Sequence, residues 1–171
     1  LEPDMAIAAN KDWASGATVG WVLARQSGVN GDKFQWNMNT QGNTRKDFDL
    51  LAPPATVFDG SWHQILVTYD RSGNATFYRD GSQIGTVNIS ANTGSMRPPL
   101  DATWLKTNIM VLGQDATLRY WHETDPNITS LNGDLDEVAM WDRVLTAEEI
   151  ATTYAKGLAG VAVTGTLAPS F

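Results

Sequence analysis

Residues 59–89 read DGSWHQILVTYDRSGNATFYRDGSQIGTVNI, and this stretch decides the fold class. Its β-branched and aromatic runs, which begin at Trp62, Ala75 and Gln83, are typical of strands. Turn-forming residues at 70–74 separate the first two runs. The pair Asp80-Gly81 separates the second and third runs and suits a type I′ hairpin, because both positions tolerate positive φ. The stretch therefore predicts a three-stranded antiparallel meander.

Shorter runs on both sides of the meander predict further strands. These lie at Met5–Ala9, Trp21–Gln26, Lys33–Asn39, Asp47–Leu51, Ile109–Leu112 and Leu135–Trp141. Many short strands separated by frequent turns favour one architecture over the others. We therefore predict an all-β fold, a two-sheet antiparallel β-sandwich of the jelly-roll kind.

One helix is predicted near the end of the chain, at about residues 147–156. Thr146 and Glu149 have the spacing of a capping box, and Leu145 and Ile150 occupy the positions of a hydrophobic staple. Gly157 is placed to end this helix.

Composition limits the functions that the chain can have. The chain has 171 residues, enough for one substantial core. Its net charge of −7 disfavours nucleic-acid binding, because an acidic surface repels phosphates. The sequence has no cysteine and no run of about 20 apolar residues, so thiolate chemistry and a membrane span are both excluded.

Three motifs resemble laminin-G-like domains. Residues 59–70 look like the strand "D-G-x-W-H-x-hydrophobic", and residues 75–81 are similar to the hairpin that follows it in that family. Residues 131–150 resemble the closing strand and helix of the same superfamily, a block that pentraxins share. The match is close over residues 59–156 and loose over residues 5–58.

The resemblance implies a concanavalin A-like jelly roll over residues 1–157, with residues 158–171 as a tail that forms an edge strand or a linker. Members of the family bind glycans, proteins or calcium at loop rims, and many are attached to secreted hydrolases or adhesins. The resemblance therefore implies an extracellular or cell-surface location. A shared fold does not by itself fix the function.

Catalysis is the least favoured hypothesis. A glycoside hydrolase needs two facing carboxylates, and the nearest sequence is Asp134-Leu135-Asp136-Glu137. Strand alternation puts Asp134 and Asp136 on one face and Glu137 on the other. Asp136 shares its face with Val138 and Met140, which predicts a buried, hydrogen-bonded carboxylate, with His63 as a candidate partner, or alternatively a metal ligand at the rim.

Calcium is a possible cofactor. Hard cations take carboxylate and amide oxygens. Gln114 and Asp115 follow a predicted strand and match part of a pentraxin calcium loop, and Asp12 offers a second contribution. The alternative is that Gln114 and Asp115 start a solvated loop and bind their own backbone.

Sugar binding is suggested by tryptophans in long predicted loops. Exposed aromatic rings stack on sugar faces, and polar neighbours bind the hydroxyls. Trp13 lies in one such loop. The alternative, which is favoured for any single tryptophan, is that the ring packs its loop onto the sandwich. Trp21, Trp36, Trp62 and Trp141 are predicted core residues. The predicted ligand-binding residues, which lie in two segments between strands, are Trp104, Tyr120, Trp121, His122 and Glu123.

The sequence therefore predicts a non-catalytic extracellular recognition or adhesion module. The expected partner is a carbohydrate or a glycoprotein, with binding that depends on calcium if the predicted metal site exists. The second hypothesis is a structural or protein–protein interaction module that packs against neighbouring domains or subunits. A glycoside-hydrolase-like enzyme is the third.

Overall fold

The computed structural model describes residues 4–13, 18–26, 33–42, 45–51, 57–98, 110–118 and 130–163. They form two antiparallel sheets and one short helix, which confirms the predicted sandwich. The strands are β1 (Met5–Ala9), β2 (Gly20–Gln26), β3 (Lys33–Asn39), β4 (Lys46–Leu51), β5 (Ile65–Tyr69), β6 (Asn74–Arg79), β7 (Ser82–Asn88) and β8 (Val111–Leu112), and the helix is α1 (Ala147–Leu158).

The larger sheet has the strand order β4-β3-β2-β1-β8. Strand β3 shows how this sheet separates two environments, because alternate residues of a strand point to opposite faces. Phe34, Trp36 and Met38 are buried in the core cluster that β6 shares. Buried amides occupy the alternate positions, at Gln35, Asn37 and Asn39.

Aromatic rings join the two sheets. The Trp36 ring meets the edge of the Phe77 ring at a centroid distance of 5.0 Å, and its indole N–H donates to the Tyr69 hydroxyl at 2.8 Å. The Phe48 ring stacks on the Phe77 ring at 4.0 Å. Gly85 makes room for this stack, because a Cβ there would lie 2.4 Å from the Phe48 ring.

The smaller sheet has the order β5-β6-β7 and is the predicted meander. Its second hairpin turns at Asp80 and Gly81, whose φ angles are +52° and +74°. Both values fit the predicted type I′ turn. Gly81 lies against α1, where an added Cβ would be 3.2 Å from the Tyr154 ring.

Helix α1 begins as predicted. The Glu149 N–H donates to the Thr146 hydroxyl at 3.2 Å, and the Thr146 N–H donates to the Glu149 carboxylate at 2.8 Å, so the capping box is complete. The helix continues past Gly157 to Leu158, and the left-handed residue that follows its end is Gly160. Within the described ranges, no helix has the length and apolar character needed to cross a bilayer.

The predicted strand at Leu135–Trp141 is wrong. The segment pairs with no strand of the described chain, and Val138 and Met140 are 50% and 71% exposed. Glu137 interrupts it with a φ of +54°, and its carboxylate accepts the Val163 N–H at 2.8 Å. Because the alternation stops there, Asp136 is exposed rather than buried, and its carboxylate accepts the neighbouring Glu137 N–H.

The tryptophan predictions are confirmed in part. Trp36 is fully buried, whereas Trp62 is 69% exposed and precedes β5. Strand β5 begins at Ile65, three residues after Trp62. Trp21 and Trp141 are half-buried.

Candidate ligand-binding surface

The segment 90–98, which follows β7, lies along two open clefts of the described chain. The Asn92 N–H donates to the Ile89 carbonyl at 2.8 Å, and the Ser95 carbonyl accepts the Gln41 N–H at 3.0 Å. Gly94 packs so closely on Gln41 that a Cβ would lie 2.1 Å from its carbonyl oxygen. Segment 90–98 is therefore held against the turn that leads from β3 to β4.

The first cleft beside this segment has a volume of about 710 Å³. Its walls include one arginine, four hydroxyl side chains and one methionine. The lining residues are Arg71, Ser72, Ser90, Thr93, Gly94, Ser95 and Met96. The lining combines a fixed cation with groups that both donate and accept hydrogen bonds.

Arg71 is positioned by backbone carbonyls. It follows β5 in the turn to β6, and its Nη2 donates to the Asn92 carbonyl and, at 2.6 Å, to the Gly94 carbonyl. Its Nε is buried and has no hydrogen-bond partner in the described structure. The guanidinium is thereby fixed in place without using all five of its N–H donors.

The second cleft, of about 380 Å³, shares Met96 with the first. It has more apolar surface, which Trp21 and three methionines provide. Its lining residues are Asn10, Trp21, Met96, Arg97, Pro98, Met110 and Met140. Asn10 connects its walls, because its side-chain amide donates to the Met96 carbonyl at 3.3 Å and its oxygen accepts the Trp21 N–H at 2.7 Å.

The predicted metal-binding residues Gln114 and Asp115 are buried behind β8. The Asp115 carboxylate accepts the Trp13 N–H at 3.0 Å, the Thr117 N–H at 2.9 Å and the Thr117 hydroxyl at 2.6 Å. The Gln114 side-chain oxygen accepts the Asp115 N–H at 2.8 Å. Asp115 therefore joins the 10–13 loop to the end of β8.

The environment of Asp115 agrees with this structural role. Burial raises the pKa of its carboxyl despite the hydrogen bonds from Thr117 and Trp13, and the nearby charge of Asp12 raises it further. Calcium takes six to eight oxygens. Among the described residues, no group of three or more acidic or histidine side chains is placed to hold a metal ion. Calcium binding by Gln114, Asp115 and Asp12 stays a prediction.

The 10–13 loop covers the second face of the larger sheet. Trp13 is buried on small residues of β1 and β2, and its indole N–H donates to Gln35 at 3.2 Å. Trp13 therefore packs its loop onto the sheet, the alternative that the sequence favours for a single loop tryptophan. Lys11 is fully buried, and its Nζ donates to the Asn37 side-chain oxygen at 2.9 Å.

His63 lies between two carboxylates. Its Nδ1 is 2.8 Å from Asp80 and its Nε2 is 3.1 Å from Asp59, so its partners are not the predicted Asp136. Partial burial acts to lower the pKa of His63, but the hydrogen bonds to Asp80 and Asp59 outweigh it and raise the pKa. Asp80 also accepts the Gln64 N–H at 3.0 Å, so this cluster fixes the start of β5 against the β6–β7 turn.

The predicted ligand-binding residues Trp104, Tyr120, Trp121, His122 and Glu123 lie outside the described residues. Sequence reasoning missed Arg71 and Trp21 as residues of this surface. An arginine directly after a strong strand, in an acidic chain, was the available signal for Arg71. Trp21 gave no such signal, since a tryptophan within a strand pattern favours a core position.

The sheet order and the open clefts place the chain in the class of antiparallel β-sandwich domains with a surface built from connecting segments. Comparison with known proteins then gives the family. The Laminin_G_3 family model, described as the concanavalin A-like lectin/glucanases superfamily, matches residues 3–151. The chain belongs to this family, as the sequence predicted.

Curated relatives and solved structures agree with this assignment. Neuronal pentraxin-2 of Homo sapiens is 32% identical over 100 residues, which cover 57% of this chain and 20% of that protein. Its Mus musculus counterpart is 31% identical over the same share. The chain therefore spans about a fifth of the relatives that it matches.

Among solved structures, the receptor binding domain of botulinum neurotoxin D has a TM-score of 0.54 and 14% identity, and the match covers 92% of this chain and 33% of that one. The receptor binding domain of the mosaic serotype C/D toxin has a TM-score of 0.55 and 15% identity, over 91% and 32%. At this identity the likeness shows a shared fold.

Proposed function

We propose that the chain is a non-catalytic recognition module that binds a carbohydrate or a glycoprotein at the two clefts along segment 90–98. The observation that carries the proposal is the composition of this surface. Arg71, Arg97 and four hydroxyl side chains line it, with Trp21 beside them. Hydroxyls and guanidinium groups bind sugar hydroxyls, and an aromatic ring offers a stacking face.

A binding role is supported over catalysis by the same lining. Glycoside hydrolysis requires a pair of carboxylates on either side of the scissile bond. The described lining of both clefts contains no aspartate or glutamate. Solved structures of similar fold are titled receptor binding domains, which supports a binding role as well.

We further propose that the module acts outside the cell or at its surface, as laminin-G-like and pentraxin domains typically do. Dependence on calcium is a separate part of this proposal. The clefts do not include Gln114 or Asp115, so sugar binding there needs no metal at those residues.

A glycan array with exposed-residue variants tests the proposed function. Thr93 and Arg97 are both exposed, so Thr93→Ala and Arg97→Ala should leave folding intact. Each is expected to weaken binding about fivefold or more, since one hydrogen bond contributes about 1 kcal/mol. The matched control is Thr86→Ala, an exposed threonine of β7 that lines neither cleft. No binding to any glycan would contradict the proposal.

One observation favours assembly as a second function. Leu135, Val138, Met140 and Val144 are 43% to 71% exposed within ten residues of sequence. Neighbouring exposed apolar residues are typical of protein contact surfaces. Sedimentation velocity tests whether the partner is a second copy of this chain. A species that shifts with concentration, and that Val138→Ser together with Met140→Ser abolishes, is expected for such an assembly.

A further inference from the structure

We propose that the first cleft selects an acidic sugar, and that Arg71 pairs with the carboxylate or sulfate of that sugar. This inference rests on the proposed function and names the class of ligand. It is carried by the way in which Arg71 is fixed and by the absence, within the described ranges, of a carboxylate oxygen within 4.0 Å of its guanidinium.

Four basic side chains of the described chain have a carboxylate partner. Lys33 pairs with Asp49, Arg45 with Asp47, Arg79 with Asp80 and Arg143 with Glu149, at 2.5 to 3.7 Å. Arg71 differs from them: within the described ranges, no carboxylate oxygen lies within 4.0 Å of its guanidinium.

Two neutral carbonyls hold this guanidinium in place. Its Nη2 donates to Asn92 and Gly94, so the orientation is set before any ligand arrives. Carbonyl acceptors leave the positive charge uncompensated, whereas a carboxylate would neutralise it. Since Nε is buried and Nη2 makes both carbonyl bonds, Nη1 is the donor left for an anion, and a charge-assisted hydrogen bond is about twice as strong as a neutral one.

The rest of the lining favours a sugar over an acidic peptide. Ser72 and Ser90 donate their hydroxyl protons to Asp70 and Asn88, at 2.6 and 2.8 Å, which leaves their oxygens as acceptors. The Ser95 oxygen accepts the Arg97 N–H at 3.0 Å. Several hydroxyl oxygens around one cation match the alternating hydroxyls and single acidic group of a uronic acid or a sulfated hexose.

The experiment compares sugars that differ only in the acidic group. The array carries unmodified β-glucosides and β-galactosides, their 6-sulfates and the corresponding uronic acids. A glutamate-rich peptide is printed on the same array. Wild type, Arg71→Gln, Arg71→Lys and Arg79→Gln are applied at equal concentration. Arg79→Gln removes the same charge outside both clefts. Circular dichroism and thermal melting check that each variant is folded.

Wild type and Arg79→Gln are expected to bind acidic sugars about tenfold more tightly than the plain sugars. This difference corresponds to one charge-assisted contact. Arg71→Gln is expected to abolish this preference and keep the residual binding of plain sugars. Arg71→Lys, which keeps the charge, is expected to retain part of the preference even if Arg71→Gln does not fold. A stronger response to uronic acids than to sulfates, or the reverse, identifies the anion.

Three outcomes would overturn the inference. Equal binding of plain and acidic sugars, unchanged in Arg71→Gln, would leave the proposed function standing and remove the role of Arg71. Binding of the glutamate-rich peptide alone, dependent on Arg71, would reassign the cleft to an acidic peptide. Failure to bind any probe would contradict the proposed function and this inference together.

Discussion

Lys11 is a buried cation whose replacement gives the sharpest test of the packing on the second face of the larger sheet. It has no exposed surface, and its Nζ donates to an amide oxygen, that of Asn37. Burial, and then the charge of Arg45, lower its pKa from 10.5 to about 8, although Asp47 and Asp12 act in the opposite direction. Lys11→Met removes the charge and keeps most of the volume.

The magnitude follows from the two pKa values. Because each pKa unit corresponds to about 1.4 kcal/mol, the difference between 10.5 and about 8 means that the buried charge costs on the order of 3 kcal/mol at pH 7. Losing the hydrogen bond to Asn37 costs about 1 kcal/mol at any pH. Lys11→Met is therefore expected to stabilise the protein by about 2 kcal/mol at pH 7.

The sign of the pH dependence distinguishes this explanation from general surface effects. Between pH 8 and 10.5 the unfolded chain keeps the Lys11 proton that the folded chain has lost, so the stability of wild type rises with pH. The variant lacks this gain. We expect wild type to gain about 2.5 kcal/mol relative to Lys11→Met between pH 7 and pH 10, which removes the advantage of the variant.

Urea unfolding followed by tryptophan fluorescence at pH 7, 8, 9 and 10 measures this difference. Lys46→Met, which removes a half-buried lysine of β4, is the matched control and corrects for the general loss of one positive charge. If the stabilities of wild type and Lys11→Met run parallel with pH, Lys11 is not a buried cation and the reasoning fails.

Three further predictions concern individual polar contacts and one predicted site residue. Asp115→Asn is expected to lower the free energy of unfolding by about 1–3 kcal/mol, because a buried donor loses its acceptor. Urea unfolding with calcium and with a chelator measures this loss. An equal loss in both would match the structural role, and a loss seen only with calcium would support the predicted metal. The charged form of His63 is stabilised by Asp80 and Asp59, so its contribution is complete below pH 6.5 and is lost as the pH rises through the raised pKa of the folded state. His63→Gln should therefore cost about 1 kcal/mol more at pH 5.5 than at pH 8.5 in thermal melts, and an equal cost at both would exclude the ion pair. Trp121→Ala, at a residue predicted from sequence, is expected to weaken glycan retention with an unchanged circular dichroism spectrum; unchanged retention on the array would remove Trp121 from the site.

The parts of the fold that were predicted correctly carry local signals. Asp80-Gly81 requires positive φ at two positions, and the capping box of Thr146 and Glu149 depends on a spacing of three residues. Such signals lie within a few residues of sequence and persist in the folded chain. The β5–β6–β7 meander and the start of α1 follow from them.

The failed predictions depend on contacts that are distant in sequence. Alternation at 135–141 predicts a strand, but Glu137 adopts a left-handed conformation and accepts the N–H of Val163, 26 residues away. Trp62 was expected in the core, but it is 69% exposed and precedes β5. The clefts combine residues from 10 to 140, so no sequence window could show them.

The alternation of apolar side chains and amides along β3 also specifies the pairing register of the larger sheet. Sliding β3 by one residue against β2 and β4 would move Gln35, Asn37 and Asn39 into the aromatic layer and bring Phe34, Trp36 and Met38 out beneath Lys11. Each misplaced amide would lose its partners in an apolar environment. Without cysteines to lock a pairing, this central strand discriminates against misaligned sheets through its own sequence.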